Sequence, residues 1–580
     1  MFYCPNFYIK SGIYPDNNLP STSEFNLRLN YMIRKLLINF ILLFLLSLIW
    51  FNCKNNKSDF NNSNVSGTFK FILSDPVESL DPANILYSSD GLVASLCYEG
   101  IVALTQKQNE LEPLIAECWE KTDNGKIYIF KIRKGIKFHN DPCFPGGKGR
   151  ELISDDIIYT FERIADPKSE NAAYSLFRDK IEGIDDFHTG KAKSISGIIA
   201  ADDHTIEFRL TKPYVTFLMC LSTPLAYILP KEAVDHYKNN FGKHPVGTGP
   251  FRLAVWKPLQ EMVFVKNENY RQTGKDNKSI PILDEINIRL ISNTSMLTSE
   301  FLKGENYLYL VDNVTLRHLL KETDFAGKYK IIEVSCGLSV RFLGFAVDKK
   351  NSPVENINIR KAIALNFNRE KIFIDTPENF IPANSLIGKE LLDNAELRWL
   401  PYNPDEAKKI MQNIPADLIK RKLQISSTID SRDIKLFEQT TGEMGFKSLV
   451  EIEPNQYYEN IINKRPDVFR VSMFPSFPDP EEYYALFYSK SGPALNLTGY
   501  KNDEFDKIFE KSMFEQNIKN RIKLFLQLEE ILKRDLPAIF ISHEGPRYYV
   551  LPKFVEGLKI RHSMPDFRQV WLRSENEIEN

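Results

Sequence analysis

No two cysteines are spaced C-x-x-C, and the seven present (Cys4, Cys53, Cys97, Cys118, Cys143, Cys220 and Cys336) are scattered over 580 residues. That scatter excludes a zinc ribbon and a thioredoxin-like redox pair. Charge of one sign is lacking too. With 74 Lys+Arg against 76 Asp+Glu the formal net charge is -2, so no basic field draws in a phosphate backbone and nucleic acid is not an expected partner. Nor are there catalytic signatures: G-x-x-x-x-G-K-[ST], H-E-x-x-H and G-x-S-x-G are all missing. The glycine clusters at 145–150 (PGGKGR) and 245–250 (PVGTGP) have neither the spacing nor the flanking pattern of a nucleotide loop. His139, Asp141 and Cys143 sit too close together to complete a tetrahedral metal shell without distant partners, so they read as a loop after a strand ending at Phe138. No enzymatic activity, cofactor or metal is expected.

What is there is globular: 43% hydrophobic, 26% charged and 12% aromatic residues, in a chain long enough for more than one core. The one long apolar run, 36–51 (LLINFILLFLLSLIWF), follows Met32-Ile33-Arg34-Lys35 and is broken by Asn39 and Ser47. Its length of about 16 residues falls short of the roughly 20 that span a bilayer, and no basic stop-transfer cluster follows. A secretory signal over 32–52 is therefore expected, ending at Cys53. An uncleaved membrane anchor is the alternative reading. Residues 1–31 precede a complete signal with its own methionine and read as a doubtful leader. Residues 53–66 are almost all small or polar and form a flexible tether. The region resembles a bacterial lipoprotein signal with Trp50-Phe51-Asn52 as a loose lead-in, which implies acylation of Cys53 and a body tethered to a membrane.

From Gly67 onward strand and helix patterns alternate. Residues 205–210 and 286–290 alternate polar and apolar side chains. Within 126–138, Tyr128, Phe130 and Ile132 share one face, opposite Lys131 and Arg133, and a Gly135 turn follows. Ser154-Asp155-Asp156 supplies a cap and two acids ahead of Ile157, Ile158 and Phe161 on one amphipathic helix. Asn403-Pro404-Asp405-Glu406 supplies an N-cap, a proline at the first helical position and an acid at the third. Helical spacing also links Phe505, Ile508 and Phe509, and later Phe525, Leu526, Glu529 and Leu532. Roughly 520 residues exceed what one core serves, so two lobes are expected. No Gly/Ser or Pro linker divides them, which suggests a chain that crosses between lobes within its strands. Cys97 and Cys118 could form a disulfide or remain as thiols.

Several segments, in order, resemble the family 5 extracellular solute-binding proteins, the peptide- and nickel-binding components of ABC importers. They are Ser79-Leu80-Asp81-Pro82, the 97–102 segment CYEGIV, 114–120 (LIAECWE), 130–142 (FKIRKGIKFHNDP), 152–163 (LISDDIIYTFER), 245–251 (PVGTGPF), 340–372, 477–483 (FPDPEEY) and 496–505 (NLTGYKNDEF). The resemblance implies an α/β fold: a bilobed, periplasmic-binding-protein-like clamp of type II. Lobe I would take 67–309, with a subdomain inserted at about 95–204, lobe II 310–537, and 538–580 would return to lobe I. It also implies capture of oligopeptides between the lobes. A permease with a separate ATPase would be the partner, and a monomer, exported and lipid-anchored facing the periplasm or cell surface, would do the binding. The alternatives are a non-peptide solute (nickel chelate, haem or oligosaccharide), or a surface adhesion lipoprotein.

In peptide-binding members an aspartate three positions before the "DP" aspartate receives the peptide ammonium; here that position is Ser476. A hydroxyl accepts a hydrogen bond but cannot neutralise a desolvated ammonium. Asp479, Glu481 and Glu482 are the possible substitutes, with Asp479 also suited to cap its turn. Met473 and Phe474 stand where the family has a pocket-lining tryptophan segment, and they fit either that role or core packing. Ser339, Val340 and Arg341 match the strand whose edge meets ligand, and Arg341 could grip a ligand carboxylate or an acid of its own lobe. Tyr500 completes the expected ligand-binding set.

Overall fold

The computed structural model describes residues 67–573, apart from 86–87, 106–109, 169–172, 271–278, 335–337, 375–379, 394, 396, 455 and 562–563. The leader, signal, Cys53 and tether expected at 1–66 lie outside the described residues. No helix among the described residues is long and apolar enough to cross a membrane.

The first lobe is built on a four-stranded sheet in the order Thr68–Leu73, Glu285–Leu290, Glu261–Lys266, Phe251–Lys257, and only the first pair is parallel. The alternation at 286–290 does what period two predicts: Ile286 and Ile288 are buried and Asn287 lies on the opposite face. Within this lobe a second, antiparallel sheet runs Ala116–Thr122, Ile127–Ile132, Thr205–Arg209, Ile198–Asp202. Tyr128, Phe130 and Ile132 all face its core, where Phe208 meets Phe130 and Phe161 edge-on at 5.8 and 5.1 Å. Phe161 comes from the helix Ser154–Ile164. Ser154 is the first residue of this helix rather than its cap. Ile153 takes the cap position, and its N–H is satisfied by the Asp156 carboxylate at 2.9 Å.

The second lobe holds a six-stranded mixed sheet in the order Phe380–Pro382, Ala538–Glu544, Val340–Phe345, Val468–Met473, Lys422–Ser427, Lys447–Ile452. Its last three strands run parallel. The helices Arg432–Glu443 and Tyr457–Lys464 connect them in the usual crossover manner. The expected cap is present: the Asn403 side chain accepts the Glu406 N–H at 3.1 Å and starts the helix Pro404–Met411. The helical spacing near the end resolves into two helices, Asp503–Phe514 and Ile518–Asp535, whose Phe505, Phe509 and Phe525 pack around Tyr484.

A three-stranded sheet, Tyr309–Asp312, Arg547–Pro552, Tyr329–Val334, packs its Tyr309, Val311 and Val550 against Ile72 of the first lobe. The chain therefore reaches the second sheet after Val334 and leaves it after Glu544. Both crossings come later than the divisions expected at 310 and 538. The pairing explains the shift, because Ala538–Glu544 is locked between Val340–Phe345 and Phe380–Pro382. Among the described cysteines, Cys97 and Cys220 are buried thiols and Cys118 and Cys143 are also free, so no disulfide joins Cys97 to Cys118.

Candidate ligand cleft

At the carboxyl end of Val468–Met473 the chain enters Phe474-Pro475-Ser476-Phe477-Pro478-Asp479-Pro480. Three prolines stop both strand and helix from continuing there. The segment has two anchors. Phe477 is buried in the first lobe's core, whereas Tyr483 and Tyr484, on the short helix Glu481–Ala485, are buried in the second lobe's core.

Between these anchors lies a set of charges. The Glu481 carboxylate accepts the Thr216 hydroxyl at 2.7 Å and lies 3.2 Å from Lys180 Nζ, both on the first-lobe side. Burial opposes the Lys180 charge, but Glu481 outweighs it and its pKa is raised. Arg521 holds Asp479 and approaches Glu481 at 3.9 Å. Asp479 also accepts the Glu481 N–H at 2.9 Å, the turn-capping role. The Glu482 carboxylate accepts the backbone N–H of Ser476 at 2.6 Å and of Phe477 at 3.4 Å. Burial pushes its carboxyl up to about 7, against those hydrogen bonds.

Ser476 lines a cavity of about 130 Å³ together with Ser95, Tyr98, Glu99, Tyr227 and Arg568. A 150 Å³ apolar void holds one benzene ring, so this one fits roughly one side chain. Its charges cancel. Glu99 accepts Thr248 Oγ1 and Tyr270 OH, each at 2.8 Å. Asp566 sits between Arg568 at 2.8 Å and Arg561 at 2.7 Å. Burial raises the Asp566 pKa, but the two guanidinium groups outweigh it and hold the carboxyl well below the usual carboxylate range. Such a cavity suits an uncharged or modestly polar group. Among the described residues no group of histidine, cysteine and acidic side chains is placed to hold a metal ion.

Register brings part of the expected set together. Val340 pairs with Met473, so Ser339–Val340–Arg341 and Met473–Phe474 lie side by side at one end of the second sheet. The Ser339 carbonyl is 3.1 Å from His543 Nδ1, Val340 is fully buried, and Arg341 and Met473 are half-buried. Phe474 is 46% exposed. Asp479 is buried and held by Arg521 away from the cavity, so it is not a substitute for the missing aspartate. The expectation for Tyr500 is corrected as well. It sits in the second lobe's core with its hydroxyl donating to Asp535 at 2.5 Å, because Asn496 and Thr498 turn the backbone inward there. Tyr98, Glu99, Tyr227 and Arg568 were not anticipated as cavity lining. They converge from three distant stretches, and although Tyr98 and Glu99 fall in the 97–102 segment that carries the resemblance, nothing local marks any of the four as cavity lining.

Residues 110–494 match the family described as bacterial extracellular solute-binding proteins, family 5. The chain belongs to this family. Among its relatives, the peptide transport periplasmic protein SapA of Salmonella typhimurium is 22% identical over 500 residues, covering 81% of this chain and 86% of the relative. Heme-binding protein A of Haemophilus influenzae is 25% identical over 509 residues, covering 84% and 88%. Among solved structures, the ABC transporter-associated periplasmic binding protein DppA from Helicobacter pylori, in complex with the peptide STSA, superposes with a TM-score of 0.72. It is 23% identical, covering 88% of this chain and 98% of that one. These likenesses agree with the bilobed α/β clamp. In this family 5 protein the clamp is the part that receives a solute.

Proposed function

We propose that this family 5 protein captures oligopeptides in the cleft beside Ser476 and delivers them to an ABC permease driven by a separate ATPase. The observation that carries the reading is the 474–482 segment, anchored by Phe477 in one core and by Tyr483 in the other, with a cavity alongside. A ligand bound there touches the first lobe and, through Ser476, the segment that runs on into the second lobe's core, so its contacts favour closure. SapA and DppA, named for peptide transport and solved with a peptide, support the choice of ligand class. The protein acts as a binder without turnover. It is held to a membrane by acyl chains on Cys53.

Haem is the second reading, favoured by the hydroxyl of Ser476 where a carboxylate would meet an ammonium and by the relative named for heme binding. Thermal unfolding of the full-length protein with tri- to pentapeptides, and separately with haemin, distinguishes the two. A ligand at 100 times its Kd adds about 2.7 kcal/mol. Stabilisation by peptides supports the first reading, and a haemin spectral shift with no peptide effect replaces it with the second.

A further inference from the structure

The strands Lys422–Ser427, Lys447–Ile452 and Val468–Met473 are parallel, so their carboxyl ends meet at one edge of the six-stranded sheet. In open α/β sheets the crevice outside that edge is where ligands settle. Val340–Phe345 runs antiparallel to Val468–Met473, which brings its first residues to the same edge. There Arg341 stands opposite Ser472 on one side and Ser542 on the other. Side chains paired in this way share a face with Cβ atoms about 5 Å apart.

Two polar groups at this edge have no hydrogen-bond or ion-pair partner among the described residues. Arg341 forms no hydrogen bond or ion pair among the described residues, and its guanidinium lies over the Phe380 ring at 4.1 Å. The Ser542 hydroxyl, on a residue only 1% exposed, has no hydrogen-bond partner among the described residues. The nearest acids are already committed: Asp433 to Arg470 at 2.7 Å and Glu544 to Arg547 at 2.5 Å. Among the described residues Arg341 is thus a half-buried cation with no acid paired to it, and it feels Asp433 and Glu544 only as charges already taken by other arginines. Burial, and after it Arg470, push its pKa below the ordinary value, although an arginine stays charged at neutral pH. A site like this is costly to keep unless something anionic occupies it. The stack on Phe380 fixes the plane of the guanidinium and leaves its edge free for a planar, two-oxygen group.

We propose that Arg341, with Ser542 beside it, seats a carboxylate of the bound solute, so that this protein selects ligands that carry one. For peptides, the group is the free C-terminus. The identity of the rest of the ligand rests on the peptide reading above.

The test uses the full-length protein, its R341Q and R341K variants, and two kinds of probe: alanine tri- to pentapeptides as free acids and as C-terminal amides, and glutarate. Wild-type protein is expected to bind the acids about tenfold or more tightly than the amides by calorimetry. R341Q is expected to lose that preference, and R341K to keep only part of it. R341Q is also expected to unfold at the same temperature or higher, since it removes an uncompensated charge; a merely structural Arg341 would lower it. Equal binding of acids and amides overturns the inference and leaves the peptide reading standing. If no peptide binds, glutarate decides. An Arg341-dependent thermal shift keeps the carboxylate seat while the peptide reading falls, and no such shift overturns both.

Discussion

Arg521 grips Asp479 with both terminal guanidinium nitrogens, Nη2 lying 2.8 Å from Oδ1, and only 2% of Arg521 remains exposed. A third nitrogen, Nε, donates to the Ser512 carbonyl at 2.9 Å. The pair ties the helix Ile518–Asp535 to the turn that carries Ser476 toward the cavity, so it fixes the candidate cleft from behind.

Removing one member of a buried ion pair leaves the other without compensation. Arg521→Met is expected to destabilise the protein by about 3–5 kcal/mol, and the double variant with Asp479→Asn by clearly less. Urea unfolding midpoints at unchanged slope measure both. A single variant within about 0.5 kcal/mol of the parent contradicts a structural role for the pair.

Lys180 and Thr216 reach Glu481 from the first-lobe side, at 3.2 and 2.7 Å. Lys180→Met takes away a cation from this junction and is expected to weaken binding of any cleft ligand by about tenfold, a cost typical of one lost charged hydrogen bond. Small-angle scattering of the unliganded variant is expected to show a larger radius of gyration than the parent. Unchanged affinity and dimensions would mean the junction does not hold the lobes together.

Two carboxyls respond to pH in the same sense. Burial pushes Glu482 and Glu529 from 4.5 up to about 7. Between those values the folded chain holds more protons than the unfolded one. Stability therefore falls as pH rises through this window, then levels off above it. Glu529→Gln keeps the acceptor for the Leu386 N–H, at 3.0 Å in the parent, and removes the charge. It is expected to flatten the decline of the urea midpoint between pH 5 and 7.5; an unchanged decline would assign it to other groups.

Cys53→Ser is expected to move the mature protein from the detergent phase to the aqueous phase on Triton X-114 partitioning, with peptide affinity unchanged. Retention in the detergent phase favours the uncleaved apolar anchor at 36–51 over acylation.

Local rules carried much of the architecture. The inward face of Tyr128, Phe130 and Ile132 follows from period-two alternation, and the Asn403 cap from residue chemistry at a helix start, since both depend on neighbours a few residues away. Ser476 reached the cavity because the prolines around it fix a turn at the end of a strand. The misjudged features are long-range. Tyr500 was withdrawn into the core by Asp535, and Asp479 was claimed by Arg521, 42 residues on. The sequence likewise contains no sign that Arg341 goes without an ion-pair partner among the described residues while Arg470, on the neighbouring strand, is paired with Asp433. Glu99 is held by Thr248 and Tyr270, so its environment exists only once three separate stretches have met.

The chain passes between the two sheets twice, between Val334 and Val340 and again between Glu544 and Arg547. A single covalent crossing would leave the lobes free to swivel as well as bend. Two crossings define a line, and rotation about that line is the one motion that stretches neither strand.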